Sequence, residues 1–91
     1  MRTEINTEQL EIIEEVVDGW SEDKSIDRAV EELIELSHAL LKRKREKQFY
    51  GPVIQIKEEM ADVHIALKHL EFIYGEYQSQ INMKMEKCKN Q

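Results

Sequence analysis

The chain has 91 residues and a formal net charge of −6, with 35% charged and 41% apolar residues. This apolar content is too high for a disordered chain, and the acidic balance argues against binding to nucleic acid, which normally requires a basic surface. The sequence contains no apolar run of roughly 18 residues, as a membrane span requires, and its one cysteine, Cys88, has no partner for an internal disulfide. We therefore expect a single cytoplasmic domain over residues 1–91 that does not interact with membranes.

Helical periodicity of the apolar residues predicts an all-α fold with four helices. The first is predicted at residues 7–19, where apolar residues recur at helical spacing from Leu10 to Trp20 and Thr7 is the expected N-cap. The fourth is predicted at residues 76–87, with a less regular pattern. No segment shows the sustained alternation of a half-buried strand.

Two long central helices are predicted at residues 26–47 and 52–74, after a polar connection at residues 21–25. Pro52 is favourable in the first turn of the second of these helices. Each would be about 30 Å long, and we expect them to form an antiparallel hairpin joined near residues 48–51. Because a short chain cannot cover every apolar face of such long helices, we expect a homodimer or homotetramer to complete the four-helix arrangement.

Each central helix carries an acidic pair spaced three residues apart: Glu32 with Glu35, and Glu59 with Asp62. Residues at this spacing lie on the same side of a helix. When Val63 is placed at the centre of the apolar stripe of its helix, Glu59 falls only about 40° from that centre. Burying an unpaired carboxylate is costly, and no basic residue lies on the matching face of this helix. A divalent cation would relieve the repulsion, and carboxylates without Cys or paired His favour Mg²⁺ or Mn²⁺ over Zn²⁺.

The double motif Glu32-x-x-Glu35, 23 residues, Glu59-x-x-Asp62 resembles the signature of the MazG-like, all-α nucleoside triphosphate pyrophosphohydrolases. The segments around it, residues 30–36 and 58–63, strengthen the likeness, which extends over about residues 20–75. The resemblance implies cleavage of a nucleoside triphosphate between its α and β phosphates, which yields the monophosphate and pyrophosphate. It also implies that the four acidic residues hold Mg²⁺ and that the chain forms a dimer or a dimer of dimers.

Further site residues follow from the resemblance and from position. We expect Glu35 to orient or deprotonate the attacking water, because it lies farthest from the apolar stripe. Relatives carry basic residues near the C-terminus that reach the phosphates, and Lys84 and Lys87 occupy a comparable region. Trp20 either stacks on the nucleobase or covers the helical core. His69, two turns after Asp62, is interpreted as a surface residue, with contact to the substrate as the alternative.

Two other functions remain open on the sequence alone. Acidic pairs are common on solvated helix faces, which is our interpretation of Glu31 and Glu58, so the chain could be a non-catalytic helical module for dimerisation or protein interaction. A small all-α enzyme such as a chorismate mutase is disfavoured, because its dicarboxylate substrate needs a cationic pocket. The glycines are isolated and form no phosphate-binding loop, so bound phosphates would depend on the metal and on lysines.

Overall fold

The structure, a computed structural model, describes residues 3–46 and 51–90, without the side chains of residues 51 and 52. This part of the chain contains four helices and no strand, which confirms the all-α class. The helices are α1 (Thr7–Val17), α2 (Glu22–Arg45), α3 (Gly51–Tyr74) and α4 (Gln78–Lys89). The prediction for α3 is confirmed almost to the residue. Of the predicted hairpin connection, residues 48–50 lie outside the described residues.

The N-terminal ends of α1 and α2 differ from the prediction: α1 has another capping residue, and α2 begins at Glu22 rather than at residue 26. α1 is capped by Asn6 rather than Thr7: the Asn6 side chain accepts a hydrogen bond from the Gln9 backbone N–H, and the Gln9 side chain accepts one from the Asn6 N–H, at 2.8 and 2.9 Å. α2 is capped by Ser21, whose hydroxyl accepts from the Lys24 N–H at 3.1 Å. The segment expected as a polar connection is therefore the first turn of α2.

The C-terminal ends of the helices also differ slightly from the predicted ends. α1 ends at Val17, and Gly19 then turns the chain with a φ of 87°, a conformation that side chains with a Cβ rarely adopt. Gly75 ends α3 in the same way, with a φ of 88°. α2 ends at Arg45, before residue 47, which itself lies outside the described residues. α4 lies two residues further along the chain than expected.

The antiparallel α2–α3 hairpin is the main packing unit of the described residues, and α1 packs against α3. The Tyr74 hydroxyl at the end of α3 hydrogen-bonds the Glu22 carboxylate at the start of α2, as the antiparallel arrangement requires. The buried residues of α2 follow one another at intervals of four, three and seven residues, and all have small or polar side chains: Ser25, Ala29, Glu32 and Ala39. The small side chains let the two backbones approach closely.

The large apolar residues of α2 recur at helical spacing, but they are not the residues that α2 buries. Most of its large side chains are at least a third exposed and lie beside the buried face rather than within it: Ile26, Val30, Leu33, Leu40 and Leu41. Apolar residues cover more of the circumference of α2 than one neighbouring helix can contact. The expectation that another subunit covers this surface stays a prediction.

α4 differs from the other helices in having no buried residue and no close packing against another described helix. Cys88, on this helix, is exposed and is a free thiol. None of the described helices is both long enough and apolar enough to cross a membrane.

Candidate metal centre

The α2–α3 hairpin brings four carboxylates together at its middle. One oxygen atom from each residue lies within 4.8 Å of the others, and the residues are Glu32, Glu35, Glu59 and Asp62. The spacing of three within each pair places both side chains on the inner side of their helix. Antiparallel packing then sets the pair of α2 opposite the pair of α3.

The four carboxylates occupy two depths. Glu32 is only 4% exposed and Glu59 is half-buried, whereas Glu35 and Asp62 are exposed and form the rim. Atom Oε2 of Glu32 and atom Oε2 of Glu59 are buried without a hydrogen-bond partner. Buried polar atoms are nearly always partnered, so these two oxygens mark a position where a cation would fit.

The electrostatics of the cluster oppose full ionisation. Burial raises the pKa of Glu32, and the charges of Asp62 and Glu35 raise it further, while Arg28 partly offsets them. Burial also raises the pKa of Glu59, with further contributions from the charge of Glu35 and from a hydrogen bond to it. A carboxyl that holds its proton more tightly is one that a divalent cation would help to ionise.

Arg28 is the basic residue that the sequence interpretation missed. Its guanidinium lies 3.2 Å from Oε1 of Glu32 and 3.5 Å from Oε2 of Glu31. The signal was present, because Arg28 precedes Glu32 by four residues and therefore lies on the same side of α2. Because Arg28 lies on α2, the lack of basic residues on the matching face of α3 did not reveal it. Since Arg28 is about half exposed and contacts only one oxygen of Glu32, it leaves the other oxygen free for a cation.

The distances suit a hard divalent cation. Two oxygens on opposite sides of Mg²⁺ lie about 4.1 Å apart, and about 5 Å apart around Ca²⁺. The four oxygens here all lie within 4.8 Å of one another, a spacing comparable to these spans. The donor set contains only carboxylate oxygens, which is the chemistry of Mg²⁺, Mn²⁺ and Ca²⁺ sites rather than of Zn²⁺ sites.

Comparison with known proteins adds no family. No family model matches the chain, and neither a curated protein nor a solved structure does. The likeness to the MazG-like enzymes therefore remains a prediction that rests on the double acidic motif, and the candidate site rests on its own geometry.

Trp20 lies beside the cluster of four carboxylates rather than in it. Its ring meets the ring of His69 edge to face, with the centroids 5.2 Å apart and the planes at 81°, and the Lys24 ammonium lies 4.6 Å from the centroid of the indole ring. Trp20 is half-buried, so it both covers the core and borders a cleft. A substrate contact for Trp20 stays a prediction.

His69 is buried, which contradicts its interpretation as a surface residue. It is 7% exposed, and its Nδ1 atom has no hydrogen-bond partner. The reason is that Trp20 and the residues packed around it cover this side of α3, which the periodicity of α3 alone could not show. Burial lowers the pKa of His69, and the positive charge of Arg28 lowers it further, so the ring is neutral at pH 7.

Lys84 and Lys87 lie on α4, and both are exposed. No contact of the described residues links either lysine to the four carboxylates, so their expected role at the substrate phosphates stays a prediction. Since α4 packs closely on no other described helix, its lysines would need a rearrangement or a second subunit to reach a bound triphosphate.

Proposed function

We propose that this protein hydrolyses a nucleoside triphosphate to the monophosphate and pyrophosphate with Mg²⁺, or Mn²⁺, as cofactor. The observation that carries the proposal is the convergence of four carboxylates from two helices, two of which keep a buried oxygen without a partner. Such a set holds a hard cation while leaving coordination positions open to water and phosphate oxygens. The resemblance of the double acidic motif to the MazG-like signature supports the choice of reaction.

The proposed role of each carboxylate follows from how deeply it is buried. Glu32 and Glu59, the inner pair, would anchor the cation, and Asp62 at the rim would complete its coordination. When bound, the cation acidifies a coordinated water and neutralises charge on the phosphoryl oxygens. Glu35 is exposed at the rim, so its carboxylate can accept a proton from a water at the open side of the site.

The remaining assignments complete the proposal. Trp20 borders the cleft next to the cluster and is the candidate contact to the nucleoside, and Lys84 and Lys87 are the candidate contacts to phosphates. The uncovered apolar face of α2 supports self-association as a homodimer or homotetramer. A cytoplasmic location, where nucleoside triphosphates and a free thiol are both expected, belongs to the same proposal.

The decisive test is pyrophosphate release from a panel of ribo- and deoxynucleoside triphosphates, with Mg²⁺ and with EDTA. We expect at least one nucleotide to be hydrolysed only with the metal. Glu59→Gln should lower this activity by more than about 100-fold, because it removes a direct ligand rather than an outer-shell partner. The neighbouring Glu58→Gln makes the same chemical change on an exposed residue and should leave activity within about twofold.

Two outcomes would reject the proposal: near-full pyrophosphate release by Glu59→Gln with unchanged helix content, or equal turnover in EDTA. The second candidate function, a non-catalytic helical module, is favoured by one observation, the long exposed apolar face of α2. It would replace the first if no nucleotide of the panel were hydrolysed while the chain still self-associated.

A further inference from the structure

A groove runs along α1 on the side where this helix packs against α3. It consists of two clefts of about 320 and 540 Å³, and because Ile12, Ile13 and Ile65 line both of them, the two form one continuous surface. Large apolar side chains are open to solvent along this groove: Ile12 is 55% exposed and Val16 is 49% exposed. Exposed apolar surface of this kind is typical of a site where another polypeptide packs.

The edge of the groove that α1 forms is acidic. α1 carries four glutamates and no basic residue. At about 100° per residue, Glu8 and Glu15 lie within about 60° of Ile12, on the side away from Ile13. Both glutamates are exposed, and neither forms an ion pair with another described residue. Since like charges along one side of a helix repel one another, this edge favours a basic partner.

α4 has the complementary pattern of apolar and basic residues. Apolar side chains recur at helical spacing on one side of it, and two lysines lie along the border of that side: Tyr77, Ile81, Met85 and Cys88, with Lys84 and Lys87. α4 carries three lysines against one glutamate, none of its residues is buried, and it packs closely on no other described helix. With 12 residues it is about 18 Å long, close to the length of about 16 Å of the 11-residue α1.

The α4 helix of the same chain begins on the far side of α3 from this groove. Its first turn borders a cleft lined by Leu67, Leu70 and Tyr74. These residues lie on the opposite side of α3 from Ala61 and Ile65, which line the groove. The helix that fills the groove therefore comes from a second copy. The exposed apolar face of α2 fits α4 less well, because the last turn of α2 consists of basic residues.

We propose that α4 of one copy docks in the α1–α3 groove of a second copy, and that the two copies exchange this helix reciprocally. A reciprocal exchange fills both grooves of a two-fold symmetric dimer. Charge sets the direction of the docked helix, since Lys24 and Arg28 line the groove at its Trp20 end and Glu4 lines the other end. The lysines of α4 lie in its C-terminal half, so they favour the Glu4 end, and α4 runs antiparallel to α1. The exchange goes beyond the proposed function, because it uses a surface outside the four carboxylates.

Disulfide trapping tests the contact in the full chain, because Cys88 is the one cysteine of the sequence and its thiol is exposed. Ala61→Cys places a second exposed thiol in the groove at its Glu4 end. Mild oxidation should give a dimer in which Cys88 is linked to position 61 of the other chain, identified by mass spectrometry of the linked peptides. Ser37→Cys offers an exposed thiol on the apolar face of α2, the competing surface, and should form at least about fivefold less of the link to Cys88. Equal trapping at the two positions, or a link from position 61 to Cys88 of the same chain, would overturn the exchange.

Charge reversal tests the pairing with α1. In the Ala61→Cys chain, Glu8→Lys and Lys87→Glu should each lower the rate of trapping about fivefold, and the two together should restore most of it. Glu14→Lys makes the same change about 160° around α1 from Ile12 and should leave the rate within about twofold. Such restoration would also separate this role of Lys87 from its proposed contact to a phosphate, which Glu8→Lys could not repair. Equal losses in Glu8→Lys and Glu14→Lys, both folded by circular dichroism, would overturn the docking of α4 against this edge.

Discussion

Glu32 and Glu59 approach each other across the α2–α3 interface, each with one buried oxygen that accepts no hydrogen bond from the described residues. Proteins normally bury carboxylates only with compensation, and the nearest compensation here, Arg28, reaches one of the two residues and is itself half exposed. The metal-free fold therefore carries an electrostatic penalty that either protons or a cation can remove. The residues of this cluster therefore couple the stability of the fold to the proposed metal binding.

The two buried carboxyls should make the metal-free protein more stable as the pH falls through their raised pKa values toward 4.5, whereas His69, whose pKa is lowered, has the opposite effect as the pH falls below 6.5. The pKa values of Glu32 and Glu59 are raised in the folded state, so above the ordinary value of 4.5 the folded chain binds more protons than the unfolded chain. The unfolding free energy consequently decreases as the pH rises through the raised pKa values. Thermal melts in EDTA at several pH values measure this dependence. The change of Tm with pH should be smaller in Glu59→Gln than in the unaltered chain, and it should be unchanged in Glu58→Gln. The same pH dependence in Glu59→Gln and in Glu58→Gln would contradict the assignment, because both variants retain His69.

Arg28→Gln should lower the unfolding free energy of the metal-free protein by about 1 kcal/mol. The variant leaves Oε1 of Glu32 buried without its charged donor. The loss of unfolding free energy is small for a charged hydrogen bond because water screens the half-exposed guanidinium. Urea denaturation in EDTA provides the measurement. Glu31→Gln removes the other Arg28 ion pair, in which both side chains are exposed, and should change the unfolding free energy little. Saturating Mn²⁺ should reduce the Arg28→Gln effect, and an effect that is the same with and without metal would show that Arg28 does not compensate the cluster.

Among the elements, α1 shows how local chemistry selects a helix start. Asn6 and Thr7 are both good capping residues, and the reciprocal hydrogen bonds with Gln9 favour the first, because Gln9 lies three residues after Asn6. A cap at Thr7 would place Leu10 at that third position, where no side chain can return the hydrogen bond. The helix therefore begins at Thr7 rather than after it.

Asn6→Ala should destabilise the protein by about 1 kcal/mol, whereas Thr7→Ala should change its stability by less than about 0.5 kcal/mol. The first variant loses an acceptor for the Gln9 N–H and half of a capping box, while the second loses an exposed side chain within the first turn. Chemical denaturation followed by Trp20 fluorescence compares them. A larger loss for Thr7→Ala would assign the cap to Thr7 instead.

At the scale of the whole molecule, the apolar surface is divided between a thin core and broad exposed faces. The buried apolar residues of the described chain are small apart from Ile13, whereas Leu33 and Leu41 are about half exposed, at 50% and 54%. Exposed apolar faces of this extent are typical of protein–protein interfaces. Self-association would bury them, and it would also give α4 a surface on which to pack.

Leu33→Glu should shift the protein toward a monomer and lower its stability, because it places a charge at the centre of the exposed apolar face of α2. His38→Glu introduces the same side chain on an exposed position about 140° away around the helix and should leave the oligomeric state unchanged. Sedimentation velocity at several protein concentrations distinguishes the two. An unaltered chain that sediments as a monomer at every concentration would reject self-association through this face.

The sequence by itself determined the helical class, the extent of α3 and the pairing of acids three residues apart, because helical periodicity, capping and spacing are local properties of the chain. Only the tertiary structure decided which face of α2 meets α3, since apolar residues cover more of that helix than one neighbour can bury. The same packing brought Arg28 to Glu32 and enclosed His69 beneath Trp20. Burial and charge compensation depend on how helices are oriented relative to one another, and a single helix does not encode that orientation.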